Sequence, residues 1–276
     1  SCMLECAPGM IVDTESERTR KAQDGVLEFL LVNHPLDCPV CDKGGECPLQ
    51  DLTFRYGPPS TRMRFTKRTF DKPIPISPLI ALDRARCILC YRCTRFSEQV
   101  AEDGQLVAME RGANSYIATF EDEPYRAHFS GNVVELCPVG ALTSTAYRFQ
   151  ARPWEIQNVP SVCGHCSVGC NIWATTREGK ITRVLGRNHP EVDEGWLCDK
   201  GRFAVGDLAS EDRLDAPLRR VRQRGCEPVS LADAAEQAAQ ALRDADGSVA
   251  VAFSGTESVE QAAAPANTRA STTGAR

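Results

Sequence analysis

The N-terminal part of the chain shows a helical pattern of apolar positions. Apolar side chains recur every three or four residues from Ala22 to Leu31, and the pattern ends at Asn33 and Pro35. This periodicity predicts an amphipathic helix that stops before the proline. A second, shorter helix is predicted over Leu49–Arg55.

Alternating hydrophobic and polar positions occur later in the chain. They run over 171–176 and 180–185, and a Glu-Gly pair lies between the two runs. Alternation on both sides of a turn pair predicts a β-hairpin. Small apolar residues at helical spacing predict a further helix over 230–244 with Ser230 as its N-cap, and the run Val249–Phe253 predicts a buried strand.

Composition and charge narrow the function classes. The chain has 276 residues, of which 42% are hydrophobic and 25% are charged, as is ordinary for a globular protein. A net charge of −5 argues against a protein that wraps nucleic acid through a basic surface. No apolar run approaches the roughly 20 residues that span a bilayer, and no signal peptide is evident. We expect both ends to be truncations and residues 262–276 to be disordered.

The fourteen cysteines are the unusual feature of this composition. They make up about 5% of the residues, which is below the roughly 8–10% typical of a disulfide scaffold. Because nothing in the sequence indicates secretion, we expect reduced thiols that are available as metal ligands.

The first ligand group consists of His34, Cys38, Cys41 and Cys47. A lone histidine is more often an ordinary surface residue, but its position four residues before a C-x2-C-x5-C run favours the ligand interpretation. The glycines at 44–45 are expected to turn backbone N–H groups toward an anionic centre.

The second group consists of Cys87, Cys90, Cys93 and Cys137, and Pro138 follows the last cysteine. A bacterial two-cluster ferredoxin motif reads C-x2-C-x2-C-x3-C-P, and its fourth cysteine serves the other cluster. The positions that would complete that other cluster hold Ser97, Ala127, Ser130 and Val133. The pattern therefore predicts a ferredoxin scaffold reduced to one [4Fe-4S] centre.

The third group consists of Cys163, Cys166 and Cys170, followed after the predicted hairpin by Cys198. Both zinc and iron–sulfur clusters accept such ligands, so a zinc-binding structural module remains an alternative. The ferredoxin spacing of the second group favours iron–sulfur clusters and hence electron transfer.

A basic stretch lies between the first two groups. It contains Arg62, Arg64, Lys67 and Arg68 beside two phenylalanines. The pattern is typical of a solvated strand face, and it also fits a docking surface for neighbouring subunits.

The motifs together resemble one family, the large iron–sulfur subunits of bacterial respiratory complex I, from about residue 1 to about residue 260. The motifs that carry the resemblance are Asn33–Cys41, Gly44–Cys47, Arg64–Arg68, Arg86–Cys93, Phe129–Asn132, Glu135–Pro138 and Ser161–Cys170 with Cys198.

The resemblance implies an α+β, multi-domain fold of small iron–sulfur domains, in which a ferredoxin-like cluster domain is followed by the start of a molybdopterin-oxidoreductase-like α/β domain. The implied segments are a [2Fe-2S] ferredoxin remnant (1–17), a [4Fe-4S] domain with one His and three Cys ligands (18–57), a ferredoxin-like [4Fe-4S] domain (58–155), a [4Fe-4S] domain of the molybdenum or tungsten bis-MGD type (156–212) and the start of the α/β domain with its disordered tail (213–276).

The resemblance also implies three [4Fe-4S] clusters on the three groups, and it matches Cys2 to the fourth ligand of a [2Fe-2S] cluster whose other ligands are missing. The implied function is that of an enzyme subunit that relays single electrons from NADH and FMN toward quinone, while the whole complex translocates protons. Implied partners are an NADH/FMN-binding subunit and quinone-side iron–sulfur subunits, with no nucleic acid. The implied location is peripheral, on the cytoplasmic side of the bacterial membrane, with membrane contact only through partners.

Two alternatives remain at this stage besides zinc. The α subunit of NAD-dependent formate dehydrogenase has a similar N-terminal layout, but it usually keeps both ferredoxin motifs. This chain lacks one of them, since the corresponding positions hold Ser97, Ala127, Ser130 and Val133, and this argues against that family. A nonfunctional fragment is the other alternative.

Overall fold

A computed structural model describes residues 4–222, 225–245 and 249–264. Cys2 and most of the segment expected to be disordered, residues 265–276, lie outside the described residues. Among the described residues, none of the helices combines the length and the hydrophobicity that crossing a membrane requires.

Short helices and small sheets make up the described part of the chain, which confirms the expected α+β class. The α-helices are α1 Glu17–Leu31, α2 Pro48–Tyr56, α3 Arg92–Gln99, α4 Asn132–Leu136, α5 Asp199–Phe203 and α6 Leu231–Asp244. The strands are β1 Ile74–Pro75, β2 Ile80–Leu82, β3 Leu106–Met109, β4 Tyr116–Thr119, β5 Leu142–Ser144, β6 Gln157–Val162, β7 Asn171–Arg177, β8 Lys180–Gly186, β9 Leu218–Val221 and β10 Gly225–Pro228. They pair in the orders β1-β2-β5, β3-β4, β6-β7-β8 and β9-β10.

The chain forms two compact units. The first contains residues 1–158 and 175–182, and the second contains residues 159–174 and 183–276. The first two cysteine groups therefore belong to the first unit, and the third group belongs to the second.

The predicted first helix is confirmed as α1. The side chain of Ser16 caps its N-terminus by accepting a hydrogen bond from the backbone N–H of Thr19. Leu27 of α1 and Leu49 of α2 are both buried, at 6% and 5% exposure, and the two helices pack against each other. This packing fixes the start of the loop that carries the first cysteine group.

The basic stretch binds within its own unit. Lys67 Nζ donates to the carbonyl oxygens of residues 31 and 32 at the end of α1, at 2.8 and 2.9 Å. A cation there satisfies carbonyls that the helix leaves open and opposes the negative end of its dipole. Arg62 pairs with a glutamate of the same helix, and Arg68 donates to two carbonyls of the segment before β4. At least three of the four cations thus tie the segment to its own unit.

Strand pairing brings distant cysteines to one end of a sheet. In the antiparallel pair of β2 and β5, Leu82 lies opposite Leu142. Cys87 follows the end of β2 by five residues, and Cys137 precedes the start of β5 by five residues. Because the end of one strand lies beside the start of the other, both cysteines emerge on the same side.

The hairpin and the last helix follow the sequence pattern, whereas the final strand does not. β7 and β8 form the predicted hairpin, and Ser230 caps α6 by accepting from the N–H of Asp233. The predicted buried strand at 249–253 is wrong, because Val251 and Phe253 are each 50% exposed and the segment has no strand conformation. No strand of the described ranges pairs with it, so it lacks the neighbours that would bury its apolar side chains.

Buried packing fills the positions that a second ferredoxin cluster would use. Ser97 is 0% exposed and lies one turn after Cys93 on α3. Its hydroxyl donates to Asp103 and accepts from the backbone N–H of Leu106 at 3.2 Å. Ser130 and Val133 are likewise buried, at 2% and 0% exposure. Three of the four residues that stand where cluster ligands would be are thus buried, whereas Ala127 is half-buried.

The substitution Ser97→Ala should lower the free energy of unfolding by about 1–3 kcal/mol, because it leaves the buried N–H of Leu106 without its acceptor. Anaerobic urea denaturation followed by circular dichroism measures the effect. Ser60→Ala, at an exposed position, is the control and should change the stability little. Equal midpoints for the two variants would contradict the role given to Ser97.

Candidate metal centres

The second cysteine group lines a single apolar pocket. Its empty space is about 360 Å³, part of it open to solvent. The lining consists of four cysteines and seven other residues, namely Leu82, Cys87, Ile88, Cys90, Tyr91, Cys93, Ile117, Cys137, Val139, Ala141 and Leu142. All four predicted ligands of this group therefore face one cavity.

Two residues in the left-handed backbone region shape the loop that carries three of these cysteines. Leu89 and Tyr91, on either side of Cys90, have φ values of 53° and 58°. That conformation costs roughly 1–2 kcal/mol for a residue with a side chain, so the surrounding contacts must hold it in place. The N–H of Leu89 points at the Sγ of Cys87, 3.4 Å away, as a donor to an anionic sulfur would.

Burial favours the protonated form of three thiols in this pocket, those of Cys87, Cys93 and Cys137. Burial, together with the neighbouring cysteines, raises the pKa of Cys87 to about 11 and that of Cys93 to about 12. The pKa of Cys137 is also raised, mainly by burial. Because a metal binds the thiolate, loading this site must release protons.

The first group brings its three cysteines together and leaves a buried histidine nitrogen without a partner. Cys41 and Cys47 are 8% and 7% exposed, and the pKa of Cys47 is raised by burial and also by the nearby thiols of Cys41 and Cys38. The Nδ1 atom of His34 is buried and has no hydrogen-bond partner among the described residues. A buried polar atom without a partner is costly, and a metal bond would satisfy it.

The surroundings of His34 favour the neutral imidazole that metal binding needs. Burial lowers its pKa, and the positive charge of Arg86 lowers it further. Asp37 acts in the opposite direction but is outweighed. The donor set of one neutral imidazole and three thiols fits an iron–sulfur cluster as well as zinc.

The glycines at 44–45 do not have the expected role. The N–H of Gly44 donates to the carbonyl of Cys41 at 3.0 Å, and that of Gly45 donates to the side chain of Gln50 at 3.0 Å. Both N–H groups therefore bind protein acceptors. Gly45 is required for a different reason, since its φ is 91° and a β-carbon there would lie 2.9 Å from Cζ3 of Trp154.

The first and second sites share a stretch of backbone, Cys137–Gly140, which we call the shared wall. Cys137 lines the pocket of the second site, while the carbonyl oxygen of Pro138 lies 3.5 Å from the Sγ of Cys47 in the first. At Gly140 the backbone comes so near the Sγ of Cys41 that a β-carbon would overlap it. This four-residue stretch thus supplies one candidate ligand of the second site and lies against two cysteines of the first.

The third site lies in the second unit, where backbone bonds and a helix end hold its cysteines. The N–H of Cys163 donates to the carbonyl of Cys170 at 2.8 Å, which closes the loop between them. Cys198 is the N-cap of α5, and its Sγ accepts from the N–H of Gly201 at 3.4 Å. The pKa of Cys170 is raised by burial and by the other three thiols, which places all four within electrostatic reach.

Each site combines buried or half-buried cysteines with a single exposed one. The exposed cysteines are Cys38, Cys90 and Cys166. In the described ranges, no three His, Cys, Asp or Glu side chains meet closely enough to hold one metal ion between them. A zinc ion needs its sulfur ligands about 2.3 Å from one centre, whereas a cluster binds each cysteine through a different iron and accepts wider spacing.

Spacing in the sequence identified the candidate ligands but missed the residues around them. Cys2 lies outside the described residues. Gly140 and Arg152 were not singled out, and Arg86 entered only as the first residue of the motif Arg86–Cys93. Arg152 donates to the carbonyl oxygens of Cys41 and Pro39. The only local signals are that Arg86 directly precedes a cysteine and that Gly140 follows one by three residues.

Three family profiles match the chain. Residues 23–62 match the NADH-ubiquinone oxidoreductase-G iron-sulfur binding region. Residues 77–143 match the ferredoxin-like domain of NADH-quinone oxidoreductase subunit 3, and residues 156–210 match the molybdopterin oxidoreductase Fe4S4 domain. The chain therefore carries iron–sulfur binding regions over all three cysteine groups.

Curated relatives carry the corresponding names. The G subunit of the NADH-quinone oxidoreductase of Streptomyces coelicolor is 50% identical over 264 residues, which cover 95% of this chain and 31% of that protein. The G subunit of Mycobacterium bovis is 48% identical and covers 95% and 33%, and subunit 3 of Thermus thermophilus is 48% identical and covers 82% and 30%. The chain spans about a third of the length of the curated relatives it matches.

Among solved structures, the chain is similar to one from an NAD+-reducing [NiFe]-hydrogenase in the H2-reduced state. The TM-score is 0.49 and the sequence identity is 29%. The match covers 55% of this chain and 65% of the hydrogenase chain.

The substitution Gly140→Ala should remove the metal from the first site alone, because the added methyl group would take the space of the Cys41 sulfur. For three [4Fe-4S] clusters, the iron content should fall from about 12 to about 8 atoms per chain. Gly25→Ala is the matched control, since a β-carbon at Gly25 has nothing within 4 Å. Iron analysis of anaerobically purified protein measures the change, and full iron content in the Gly140→Ala variant would contradict the close contact.

Proposed function

The chain belongs to the family of NADH-quinone oxidoreductase G subunits, and on that premise we propose that it carries single electrons from NADH toward quinone. It would act as an enzyme subunit without a substrate site of its own, within a complex that couples electron transfer to proton translocation. An iron–sulfur cluster, when bound, supplies a centre that takes up and releases one electron at a time.

We propose three [4Fe-4S] sites and one ligand of a [2Fe-2S] site. The proposed ligand sets are His34, Cys38, Cys41 and Cys47 for the first site, Cys87, Cys90, Cys93 and Cys137 for the second, and Cys163, Cys166, Cys170 and Cys198 for the third. Cys2 is the proposed ligand of a [2Fe-2S] cluster. The segment boundaries at 17, 57, 155 and 212 remain part of this proposal.

The shared wall is the observation that carries the relay proposal. Electron exchange between two centres is fastest when little protein separates them. Here the short backbone stretch from Cys137 to Gly140 contains one proposed ligand of the second site and lies against two proposed ligands of the first. The apolar lining of the second pocket and the buried Cys41 and Cys47 also limit the reorganisation of water around these centres. Both features suit an electron carrier.

The proposed partners follow from this role. An NADH- and FMN-binding subunit would supply the electrons, and quinone-side iron–sulfur subunits would receive them. We propose a peripheral position on the cytoplasmic side of the bacterial membrane, with membrane contact through those partners only. No nucleic-acid partner is proposed.

Metal analysis distinguishes this proposal from a zinc-binding module. Anaerobically purified protein should be brown and contain about 12 iron and about 12 acid-labile sulfide atoms per chain, because each of three clusters has four of each. The same preparation should contain little zinc. A colourless protein with about three zinc ions and no iron would contradict the electron-transfer role.

The substitution His34→Cys should retain a cluster at the first site and lower its reduction potential. A thiolate in place of a neutral imidazole adds one negative charge, which disfavours reduction. A redox titration followed by electron paramagnetic resonance (EPR) measures the shift. His128→Cys, at a position outside the three sites, is the control and should leave the potential unchanged. An unchanged potential in the His34→Cys variant would refute the charge argument.

A further inference from the structure

One arginine lies behind the shared wall and is almost completely buried. Arg86 is 5% exposed and directly precedes Cys87 of the second site. Its Nη2 atom lies 3.4 Å from the carbonyl oxygen of Val40, in the turn that carries the first site. Its Cδ lies 3.7 Å from where a β-carbon of Gly140 would be. Arg86 therefore brings a permanent positive charge between the two sites.

Two carboxylates and a lysine surround this charge. The Nε atom of Arg86 is 3.0 Å from Asp37 and 3.2 Å from Asp83. Lys72 Nζ lies 2.5 Å from the same oxygen of Asp37. Burial opposes ionisation of Asp37, but hydrogen bonds from Lys72 and Arg86 outweigh it and lower its pKa. The group thus contains two cations and two anions, and removing any one of them leaves a net charge.

The charge of Arg86 lies against the first site. Val40, whose carbonyl oxygen faces Nη2 of Arg86, stands between Cys38 and Cys41 in the chain, and Asp37 directly precedes Cys38. A positive charge at that place favours an added electron, and a negative charge disfavours one. Because Arg86 and Asp83 are 5% and 4% exposed, water and salt screen this influence much less than they would at the surface.

Building on the proposed function, we infer that Arg86 raises the reduction potential at the His34 site and that Asp37 lowers it. Reduction adds one electron and therefore one negative charge to the site. The guanidinium stabilises that charge, and the carboxylate destabilises it. Arg86 and Asp37 thus set the potential of this site by their charges, although neither is a ligand.

Opposite substitutions within one ion pair test this inference. Arg86→Gln and Asp37→Asn both break the same salt bridge, but they remove charges of opposite sign. We expect the first to lower and the second to raise the midpoint potential of the His34-site signal, identified as the EPR signal that Cys41→Ser removes. Arg86→Lys keeps the charge and should retain a potential near that of the wild type. The titrations use the full-length protein assembled with its partner subunits.

A control and the possible outcomes separate charge from structure. Arg62→Gln removes a cation whose side chain is 85% exposed and should leave the potential unchanged. Shifts of Arg86→Gln and Asp37→Asn in the same direction, or no shift in either, would overturn the inference. If Arg86→Gln loses the EPR signal, the other two variants decide. A raised potential in Asp37→Asn together with a wild-type potential in Arg86→Lys supports the inference, and any other combination of these two potentials overturns it. A wild-type protein without clusters would instead contradict the proposed function.

Discussion

Two candidate metal sites meet at the stretch from Cys137 to Gly140, and this close approach constrains the rest of the first unit. Cys137 must face the second pocket, while Pro138 and Gly140 must fit against cysteines of the first site. The strand β5 begins two residues later, and its pairing with β2 fixes where this segment lies. The hydrogen bonds from Lys67 to the end of α1 hold the segment that leads into the first site.

The features of the fold that could be predicted are those that depend on residues close together in the sequence. The helix behind Ser16 and the hairpin of β7 and β8 follow from periodicity and local turn or capping residues, which act within a few positions. Arg86 contacts Val40, which is 46 positions away in the chain, and Gly140 contacts Cys41 over a still longer separation. The residues next to Arg86 and Gly140 therefore do not predict these contacts. At 249–253 the sequence pattern predicted an element that the structure does not have. A run of apolar residues favours a strand, but it does not show whether a partner strand exists.

At position 97, the sequence shows that a cluster ligand is absent but not what the serine does in its place. The motif shows that a cysteine is absent at this position, and the family profiles agree that one ferredoxin-like domain remains. The motif does not show that the serine hydroxyl joins α3 to Asp103 and to the start of β3. A position that would bind iron in a two-cluster ferredoxin is here used for a hydrogen bond, so this half of the domain gains its order from packing. The candidate ligands thus remain a prediction from the motifs, whereas the hydrogen bonds of Ser97 are visible only in the structure.

The single exposed cysteine in each site has a consequence for how the sites are filled. Under the proposed function, a cluster handed over by ligand exchange from another protein would need one receiving thiol within reach. Cys38, Cys90 and Cys166 would provide that first contact, and the less accessible thiols would then complete the exchange. Dioxygen and chelators would reach a bound cluster from the same side, so loading and oxidative damage would share one route in each site.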